Sequence, residues 1–560
     1  MSVLSRRSVL TGSMAAVAAT VAGCELLRRP ARSDSAMFGG AKPNILVLIC
    51  DQLRAPQWFP DDLDDLLPGI ARLRRASVSF ESHFSASNMC TPARGVMTTG
   101  LYSHQTGCLY TSGGSSPSAI GGNPTAESVL SPKFPTWGSM LRDHGYRTWW
   151  WGKWHLGPEG DNTAPDGLEP YGFSGGTFPS PNGGNGQGLR SDPGIVDQFA
   201  AWFDAEAGNG PWCTTVSLVN PHDIVYWPRW QEPADVPIRF TSAAPNFETP
   251  AQLRSRRKPG LQLSLQSFME PLIHGEMASS GPEAQRQWAR QLDVYLWLQQ
   301  QVDIQVARVL DILTAHPDID RNTVVVFTAD HGEYGGSHGL SGKGGAAYEE
   351  AIKVPLYIRD PHGTLTPKSG DTRAQLTSSV DLAPLLLTIG TGGNTWRDEE
   401  RYAHLVHRAD IATIAQNHST PGRSWVAHVT DDVFVEEAGA AIHTTAPEHL
   451  IAVRTTKGKL GVYSHWLSGD TDIDPSAPQE RELYDYSTNG GRSEVDNSSS
   501  QGNPLETELQ DLWQHEVLPE IHASLPPVLN TARDEGMSNM RDMMRSRNIG
   551  IGNLSKPPGR

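Results

Sequence analysis

Cysteine, long apolar runs and net positive charge are all scarce in this sequence. Five cysteines in 560 residues cannot form the disulfide framework that holds small secreted domains together. Lysine and arginine number 46 against 62 aspartates and glutamates, which gives a formal net charge of −16. This balance argues against nucleic acid or an anionic membrane surface as the main partner. An anionic substrate would therefore have to be attracted by a local cluster of positive side chains.

The amino-terminal residues have the pattern of an export signal. The pair Arg6 and Arg7 precedes a small-residue, mildly apolar stretch that is too short for a transmembrane helix. The paired arginines resemble a twin-arginine signal, and the sequence VAGC that ends at Cys24 resembles a lipoprotein cleavage site. We therefore expect a signal over residues 1–23, a lipid anchor at Cys24 and a tether over residues 24–42. The protein would then be a cell-surface or periplasmic lipoprotein whose only membrane attachment is that lipid.

The body of the chain has the pattern of an α/β protein. Short apolar runs rich in β-branched residues are typical of buried strands, and they cover residues 44–50, 211–220, 322–330 and 354–360. Before the third run, apolar residues at spacings of three and four predict one face of a helix. These residues are Leu298, Val302, Val306, Val309, Leu310 and Leu313. We expect a large mixed, mostly parallel sheet sandwiched by helices over residues 43–395.

The chain changes character after this point. Residues 449–466 alternate β-forming and polar residues around a Lys-Gly turn, as an antiparallel hairpin does. We therefore predict a smaller carboxyl-terminal α+β domain with an antiparallel sheet over residues 396–528, followed by a tail over residues 529–560.

Polar side chains follow three of the predicted strands. Asp51 and Gln52 end the first, His222 follows the second, and Asp330 and His331 end the third. Because ligands gather at the carboxyl ends of parallel strands, we expect these groups to meet at one site. Two long loops rich in glycine, serine and proline lie at residues 111–135 and 172–194, and we expect at least one of them to form a wall of that site.

The stretch NMCTPARGVMTTG, residues 88–100, places a cysteine directly before a predicted helix. Pro92 suits the first helical position, with the preceding threonine as its cap, and Gly100 suits the end. The positive end of the helix dipole favours negative charge at Cys90, and Arg94 on the first turn can point to the same place. A thiol nucleophile would need a histidine base, and none is close in sequence.

This stretch resembles the signature of the type I, formylglycine-dependent sulfatases of the alkaline phosphatase-like superfamily. In that family the cysteine of a Cys-x-Pro-x-Arg motif is oxidised to formylglycine. Further stretches resemble the other family motifs and occur in the family's order. They are PNILVLICDQLR (43–54), GYRTWWWGKWHLG (145–157), TADHGEYGGSHGL (328–340) and GKGGAAYEEAIKVPLYI (342–358).

The resemblance implies an arylsulfatase-like hydrolase of sulfate esters, acting on a sulfated small molecule or glycan. A formylglycine-generating enzyme would modify Cys90 during synthesis, and the hydrated aldehyde would offer one hydroxyl to attack sulfur and a second to expel the sulfate. By resemblance a divalent cation is held by Asp51, Gln52, Cys90, Asp330 and His331. The implied catalytic residues are Cys90, Arg94, Lys153, His155, His222 and Lys343.

The resemblance also suggests a role for each catalytic side chain. Arg94, Lys153 and Lys343 are expected to contact the diol and the sulfate oxygens as fixed donors. His155 is expected to take a proton from the diol, and His222 to protonate the leaving oxygen.

Two metal positions depart from the commonest family pattern. Gln52 stands where that pattern has a second aspartate, and His331 where it has an asparagine. This version resembles the branch that holds phosphonate monoester hydrolases and choline sulfatases. Loss of one carboxylate and gain of an imidazole favour manganese over calcium, although calcium and magnesium remain open.

Three functions therefore compete. The first is a sulfatase, and the second is a phosphonate monoester or phosphodiester hydrolase that uses the same nucleophile. The third is a non-catalytic surface lipoprotein, which is disfavoured because every expected catalytic position is filled. Of the remaining groups, we assign His104 and His338 to structure, and we expect Trp149 and Trp151 inside the core and Trp154 open to solvent.

Overall fold

The computed structural model describes residues 37–111, 128–157, 166–229, 233, 235–267, 275–431, 446–447, 449–467, 473–538 and 541. The predicted signal, Cys24 and most of the tether lie outside the described residues, as does most of the first glycine-rich loop. Among the helices of the described part, none is both long enough and apolar enough to cross a membrane.

The strands belong to three sheets. They are β1 (Asn44–Cys50), β2 (Val78–Phe80), β3 (His83–Phe84), β4 (Arg147–Gly152), β5 (Ser174–Gly175), β6 (Trp212–Leu218), β7 (Thr323–Ala329), β8 (Leu356–Arg359), β9 (Thr372–Arg373), β10 (Thr377–Ser378), β11 (Val426–Thr430), β12 (His449–Arg454), β13 (Gly458–Ser464) and β14 (Glu480–Asp485).

Helices connect the strands. They are α1 (Leu63–Leu66), α2 (Pro68–Arg75), α3 (Cys90–Thr99), α4 (Ser103–Thr106), α5 (Trp137–Asp143), α6 (Gln187–Glu206), α7 (Pro250–Ser255), α8 (Gly260–Ser264), α9 (Gly281–Thr314), α10 (Pro317–Asp320), α11 (Glu349–Ile352), α12 (Leu382–Thr391), α13 (Ile411–Gln416), α14 (Asn489–Arg492), α15 (Pro504–Leu512) and α16 (Leu518–Ile521). All six apolar positions that predicted a helix before β7 are buried in α9.

The large sheet has the strand order β5-β4-β6-β1-β7-β8-β2-β9. Its central strands β4, β6, β1 and β7 are parallel, and β8 runs antiparallel to β7 and β2. Alternate residues of β1 enter two different cores: Ile45, Val47 and Ile49 pack in one, and Leu46 and Leu48 in the other. Helices therefore cover both faces, which confirms the predicted α/β fold with a mixed, mostly parallel sheet.

The smaller sheet is an antiparallel meander, β11-β12-β13-β14, as predicted. Apolar residues of this sheet, among them Val429 and Ile451, pack with Ala86 and Val96 beside and within α3. Helix α15 lies against the same cluster through Leu509. The small sheet thus supports the helix that begins at Cys90.

Two segments near the predicted domain limits pack on the large core. Residues such as Trp396 and Ile411 belong to the same buried cluster as α5 and α12. Residues 527–538 are helical, and Leu529 and Ala532 are buried in that cluster too. The described start of the expected tail is therefore part of the packed protein.

The tryptophans beside β4 correct one expectation. Trp149 and Trp151 are only partly buried, whereas Trp154 is 1% exposed. Alternation along the strand holds, since Thr148 and Trp150 are buried while Trp149 and Trp151 are only partly buried, and Trp154 packs in the same cluster as Trp150. The expectation was wrong because an alternating pattern does not show which face of a strand is the more deeply covered.

Candidate active site

Neighbouring parallel strands deliver the expected polar groups to one edge of the large sheet. These groups are Lys153 and His155 after β4, His222 after β6, Asp51 and Gln52 after β1, and Asp330 and His331 after β7. All of them are buried. The convergence predicted from the strand ends is present in the structure.

Cys90 opens α3 and faces this edge. The helix begins at Cys90 with Met89 as its cap, slightly earlier than predicted, and ends at Gly100 with a φ of 75°. Every residue of the helix is buried. The next residue after the cysteine, Thr91, donates its hydroxyl to the carbonyl of His155 at 3.0 Å, so it joins the two motifs and does not cap the helix.

Positive groups surround the sulfur of Cys90. Its Sγ lies 3.2 Å from Nε2 of His331 and 3.5 Å from Nζ of Lys153. Burial acts to raise the pKa of the thiol, but Lys153, Lys343, His331 and a hydrogen bond from His155 together lower this pKa well below its usual value. The site therefore stabilises negative charge at position 90.

Four side chains at this edge form a compact set of candidate metal ligands. One ligand atom from each of Asp51, Cys90, Asp330 and His331 lies within 4.8 Å of all the others. Nδ1 of His331 lies 3.1 Å from the carbonyl of Gly332, which makes Nδ1 the donor. With a metal bound, the ring would be neutral and Nε2 would present its lone pair to the ion. Two carboxylates and an imidazole fit a divalent cation.

The two carboxylates differ in their acidity. Burial acts against ionisation of Asp51, yet Lys153, His222 and Arg94 hold its pKa well below the usual range. Burial and the charge of Asp51 raise the pKa of Asp330 to about 6. Since two buried carboxylates repel each other, a bound cation would stabilise both in the ionised form.

The orientation of Gln52 suits a metal ligand. Its Nε2 donates to Oε2 of Glu333 at 2.5 Å, so Oε1 points the other way, where it accepts from Nζ of Lys343 at 2.5 Å. The other carboxylate oxygen of Glu333 accepts from the backbone N–H groups of Gly335 and Gly342. Glu333 therefore fixes both the amide of Gln52 and the loop that carries Lys343.

Arg94 lies behind the two carboxylates. It donates to Asp51 and Asp330 at 2.9 and 3.0 Å, to the carbonyl of Lys153 at 2.7 Å and to Oγ of Ser217 at 3.0 Å. These bonds use four of the five N–H donors of a guanidinium. Arg94 thus holds both carboxylates from behind in the buried interior, and its contact with sulfate oxygens stays a prediction.

Lys153 lies between Asp51 and Cys90. Its Nζ lies 2.8 Å from Oδ2 of Asp51 as well as 3.5 Å from Cys90. The preceding Gly152 allows this placement, because a Cβ there would lie 2.0 Å from the carbonyl of Ser217. The backbone N–H of Lys153 donates to that same carbonyl at 2.9 Å.

The second glycine-rich loop forms a wall of the site, as expected. Gly183 has a φ of +100°, and a Cβ there would lie within 3.0 Å of His222 and Lys153. Burial, followed by the charges of Lys343 and Lys153, lowers the pKa of His222 to about 3. The imidazole is therefore neutral at neutral pH.

Acidic side chains hold the turn that carries His222. Asp192 accepts from the backbone N–H groups of Val219 and Asn220 at 2.7 and 3.0 Å. Asp223 accepts from the first turns of α6 at 3.0 and 2.9 Å. These bonds fix the position of His222 relative to the loop that ends at α6.

Sequence reasoning missed Glu333, Ser217 and Gly183. Glu333 had a visible signal, since it is a carboxylate in a glycine-rich stretch three residues after a predicted ligand. Ser217 had none, because it lies inside β6. His338 is structural, as expected: it pairs with Glu248 at 2.7 Å and stacks on Tyr348 with ring centroids 3.5 Å apart.

Comparison with known proteins agrees with this geometry. The family model described as sulfatase matches residues 43–392. The uncharacterized sulfatase YidJ of Escherichia coli is 28% identical over 360 residues, which cover 57% of this chain and 62% of that protein. The chain thus spans somewhat less than two thirds of this curated relative's length.

Two solved structures share the fold. A putative sulfatase from Bacteroides thetaiotaomicron has a TM-score of 0.60 at 19% identity and covers 89% of this chain and 94% of its own. The phosphonate monoester hydrolase of Agrobacterium radiobacter has a TM-score of 0.58 at 19% identity, with coverage of 86% and 95%.

Proposed function

Because this chain belongs to the sulfatase family, we propose that it hydrolyses a sulfate ester at the edge of the large sheet. The observation that supports this most strongly is the position of Cys90. It lies within the ligand cluster, at the start of a buried helix and 3.5 Å from Lys153. A sulfated small molecule or glycan is the proposed substrate class.

Residue 90 would act as formylglycine, made by a formylglycine-generating enzyme from Cys90-Thr91-Pro92-Ala93-Arg94. Once hydrated, the aldehyde supplies one hydroxyl that would lose its proton and form the bond to sulfur as the bond between sulfur and the alcohol oxygen breaks. The second hydroxyl would then lose its proton, the bond between carbon and the sulfated oxygen would break, and the sulfate would leave. This restores the aldehyde, which water hydrates again. Lys153 and Lys343 would bind the sulfate oxygens and neutralise their charge.

Two histidines would move the protons. His155, whose hydrogen bond reaches residue 90, would take the proton of the second hydroxyl. His222 would donate a proton to the alcohol oxygen as its bond to sulfur breaks. Burial, followed by the charges of Lys343 and Lys153, keeps His222 neutral, so its protonation would follow the arrival of the sulfate's negative charge.

A divalent cation would be held by Asp51, Gln52, Asp330, His331 and residue 90. When bound, it neutralises charge on the sulfate and lowers the pKa of the nucleophile. An imidazole and an amide among the ligands favour manganese over calcium. Stripping the protein with a chelator and restoring Mn²⁺, Ca²⁺ or Mg²⁺ separately tests this choice, and we expect Mn²⁺ to restore the most activity. Equal or better restoration by Ca²⁺ would contradict it.

A phosphonate monoester or phosphodiester hydrolase is the second candidate. The pair Gln52 and His331 favours it, since this pair resembles the phosphonate-hydrolase version of the metal site. The test is the ratio of kcat/KM for an aryl sulfate and an aryl phosphonate monoester on one preparation. We predict a higher value for the sulfate, and a higher value for the phosphonate would replace the proposal. Cys90→Ala serves as the control and should lose both activities.

We also propose export by the twin-arginine route with a lipid on Cys24. The support is the sequence around Arg6, Arg7 and Cys24. Fractionation of cells that express the full chain should place it in the membrane fraction with its domain outside the cytoplasm, and Cys24→Ser should release it. A cytoplasmic full-length protein would contradict the proposal.

A further inference from the structure

A second group of metal-ligating side chains lies apart from the active site. It consists of His104, Asp431 and His449, which are all buried. His104 belongs to α4. Asp431 directly follows β11, and His449 is the first residue of β12. These strands pair antiparallel with Thr430 opposite Leu450, so Asp431 and His449 face each other in the next position.

The ligand atoms of this group are as closely spaced as those of the active site. One atom from each residue lies within 4.8 Å of the other two. Oδ1 of Asp431 lies 2.6 Å from Nδ1 of His449, and Oδ2 lies 3.0 Å from Nε2 of His104. The carboxylate therefore stands between the two imidazoles with one oxygen toward each.

Hydrogen bonding satisfies only part of this group. Nδ1 of His449 and Oδ1 of Asp431 form a hydrogen bond. Within the described residues, both ring nitrogens of His104, Oδ2 of Asp431 and Nε2 of His449 lack a hydrogen-bond partner. Nε2 of His104 and Oδ2 are close together but not aligned as donor and acceptor. Burial of an imidazole N–H and a carboxylate oxygen without hydrogen-bond partners lowers the stability of the folded protein. Two atoms that bind the same metal ion can lie 3.0 Å apart without the alignment that a hydrogen bond requires.

The surroundings are those of a closed site. The rings of His104 and His449 lie 5.1 Å apart between centroids, and Trp466 packs on His449 at 4.5 Å. His522, which is exposed, lies 5.8 Å from His104 between ring centroids. A tryptophan therefore packs against one imidazole of the buried group, and an exposed histidine lies beside the other.

The group is distinct from the active site. Cys90 is the first residue of α3, and His104 follows the far end of that helix. Ten helical residues span about 15 Å. No residue is shared between the two ligand sets.

We propose that His104, Asp431 and His449 bind a zinc ion that joins the helix-α4 segment to the small sheet. Two imidazoles and one carboxylate, with one open position, match the donors that zinc takes in tetrahedral sites. The softer imidazole ligands disfavour calcium and magnesium. Because the three residues come from positions up to 345 apart in sequence, the ion would hold together segments that meet only in the folded chain.

Zinc stoichiometry tests the proposal. The full chain is stripped with a chelator, equilibrated with Zn²⁺, freed of loose metal and subjected to elemental analysis. We expect His449→Gln and Asp431→Asn each to lose one equivalent of zinc relative to the parent. The matched control His418→Gln changes an exposed histidine and should bind as much zinc as the parent. Equal stoichiometry in His449→Gln and the parent would overturn the proposal.

If His449→Gln and Asp431→Asn prevent folding, a variant with an unchanged second metal group still tests the proposal. Asp51→Asn combined with Asp330→Asn disrupts the active-site ligands only. This protein should keep one equivalent of zinc and should melt at a higher temperature with Zn²⁺ than without it, because a ligand of the folded state stabilises that state. Absence of bound zinc in this protein would also overturn the proposal.

Discussion

Nη2 of Arg94 donates to Oδ2 of Asp51 at 2.9 Å, and neither side chain is exposed. Asp330 is held from the same guanidinium at 3.0 Å. The arginine of the Cys-x-Pro-x-Arg motif therefore holds two carboxylates that we propose as metal ligands.

Substitution of Arg94 by lysine should weaken metal binding. An ammonium group cannot donate to two carboxylates through separate N–H groups of one plane, as a guanidinium does. The carboxylates would be held less firmly, so the metal content after dialysis should fall together with kcat. The state of residue 90 must be measured on the same sample, because Arg94 belongs to the modification motif. Full modification and full metal content with lost activity would instead place Arg94 on the substrate.

Glu333→Gln should reduce activity although Glu333 touches no substrate. A glutamine there can present its own N–H to the amide of Gln52 and lose the acceptor that orients that amide. Loss of such a supporting contact costs roughly 10- to 100-fold in metal affinity or activity. Added metal should partly rescue the variant, which a purely structural defect would not show. Glu283→Gln, at an exposed position of α9, is the matched control and should be unaffected.

The strand ends were predictable from sequence because each is marked locally. An apolar, β-branched run that stops at a polar pair, as at Asp51 and at Asp330, can be recognised as a strand end without knowing which strands pair with it. The direction of Arg94 was not predictable, since its carboxylate partners are 43 and 236 residues away. Trp154 was misplaced because the three tryptophans of β4 give no local sign of which face of the strand is the more deeply buried. Contacts that depend on distant segments, such as Asp431 with His104, leave no local pattern at all.

Loss of His222 should matter most for substrates with basic leaving groups. A proton donor contributes roughly 100- to 10,000-fold where the leaving oxygen needs the proton, and a nitrophenolate needs little help. His222→Ala should therefore lower kcat/KM far more for an alkyl or sugar sulfate than for a nitrophenyl sulfate.

Lys343→Ala is the contrasting variant in this series. It removes a contact to the sulfate itself, so its cost should be similar for all leaving groups. The measurement is kcat/KM of both variants against sulfate esters of rising leaving-group pKa. A uniform loss in His222→Ala would show that this residue holds the sulfate and does not protonate the alcohol.

His428 should make the protein less stable in acid. Burial and, to a lesser degree, Lys459 lower its pKa to about 3, against a hydrogen bond to the carbonyl of Ser85. An unfolded histidine titrates near pH 6.5, so below about pH 6.5 the unfolded state binds a proton that the folded state does not. The free energy of unfolding should then fall by roughly 1.4 kcal/mol per pH unit from this residue alone, down to about pH 3.

Chemical denaturation at several pH values between 4 and 7 measures this slope. His428→Gln should have a lower stability at neutral pH but a flatter dependence on pH, and His418→Gln should keep the parent's slope. An unchanged slope in His428→Gln would mean that other buried groups, such as His83 with its pKa lowered to about 4, cause the acid sensitivity.

The most direct measurement compares the state of residue 90 with activity in the same samples. Preparations with different degrees of modification are obtained by varying the supply of the formylglycine-generating enzyme, and mass spectrometry of the peptide with residue 90 gives the fraction that carries an aldehyde in place of the thiol. We predict that turnover of a sulfate ester per chain rises in proportion to this fraction and extrapolates to zero for the unmodified protein. Full turnover by a preparation in which residue 90 is entirely cysteine would contradict the mechanism.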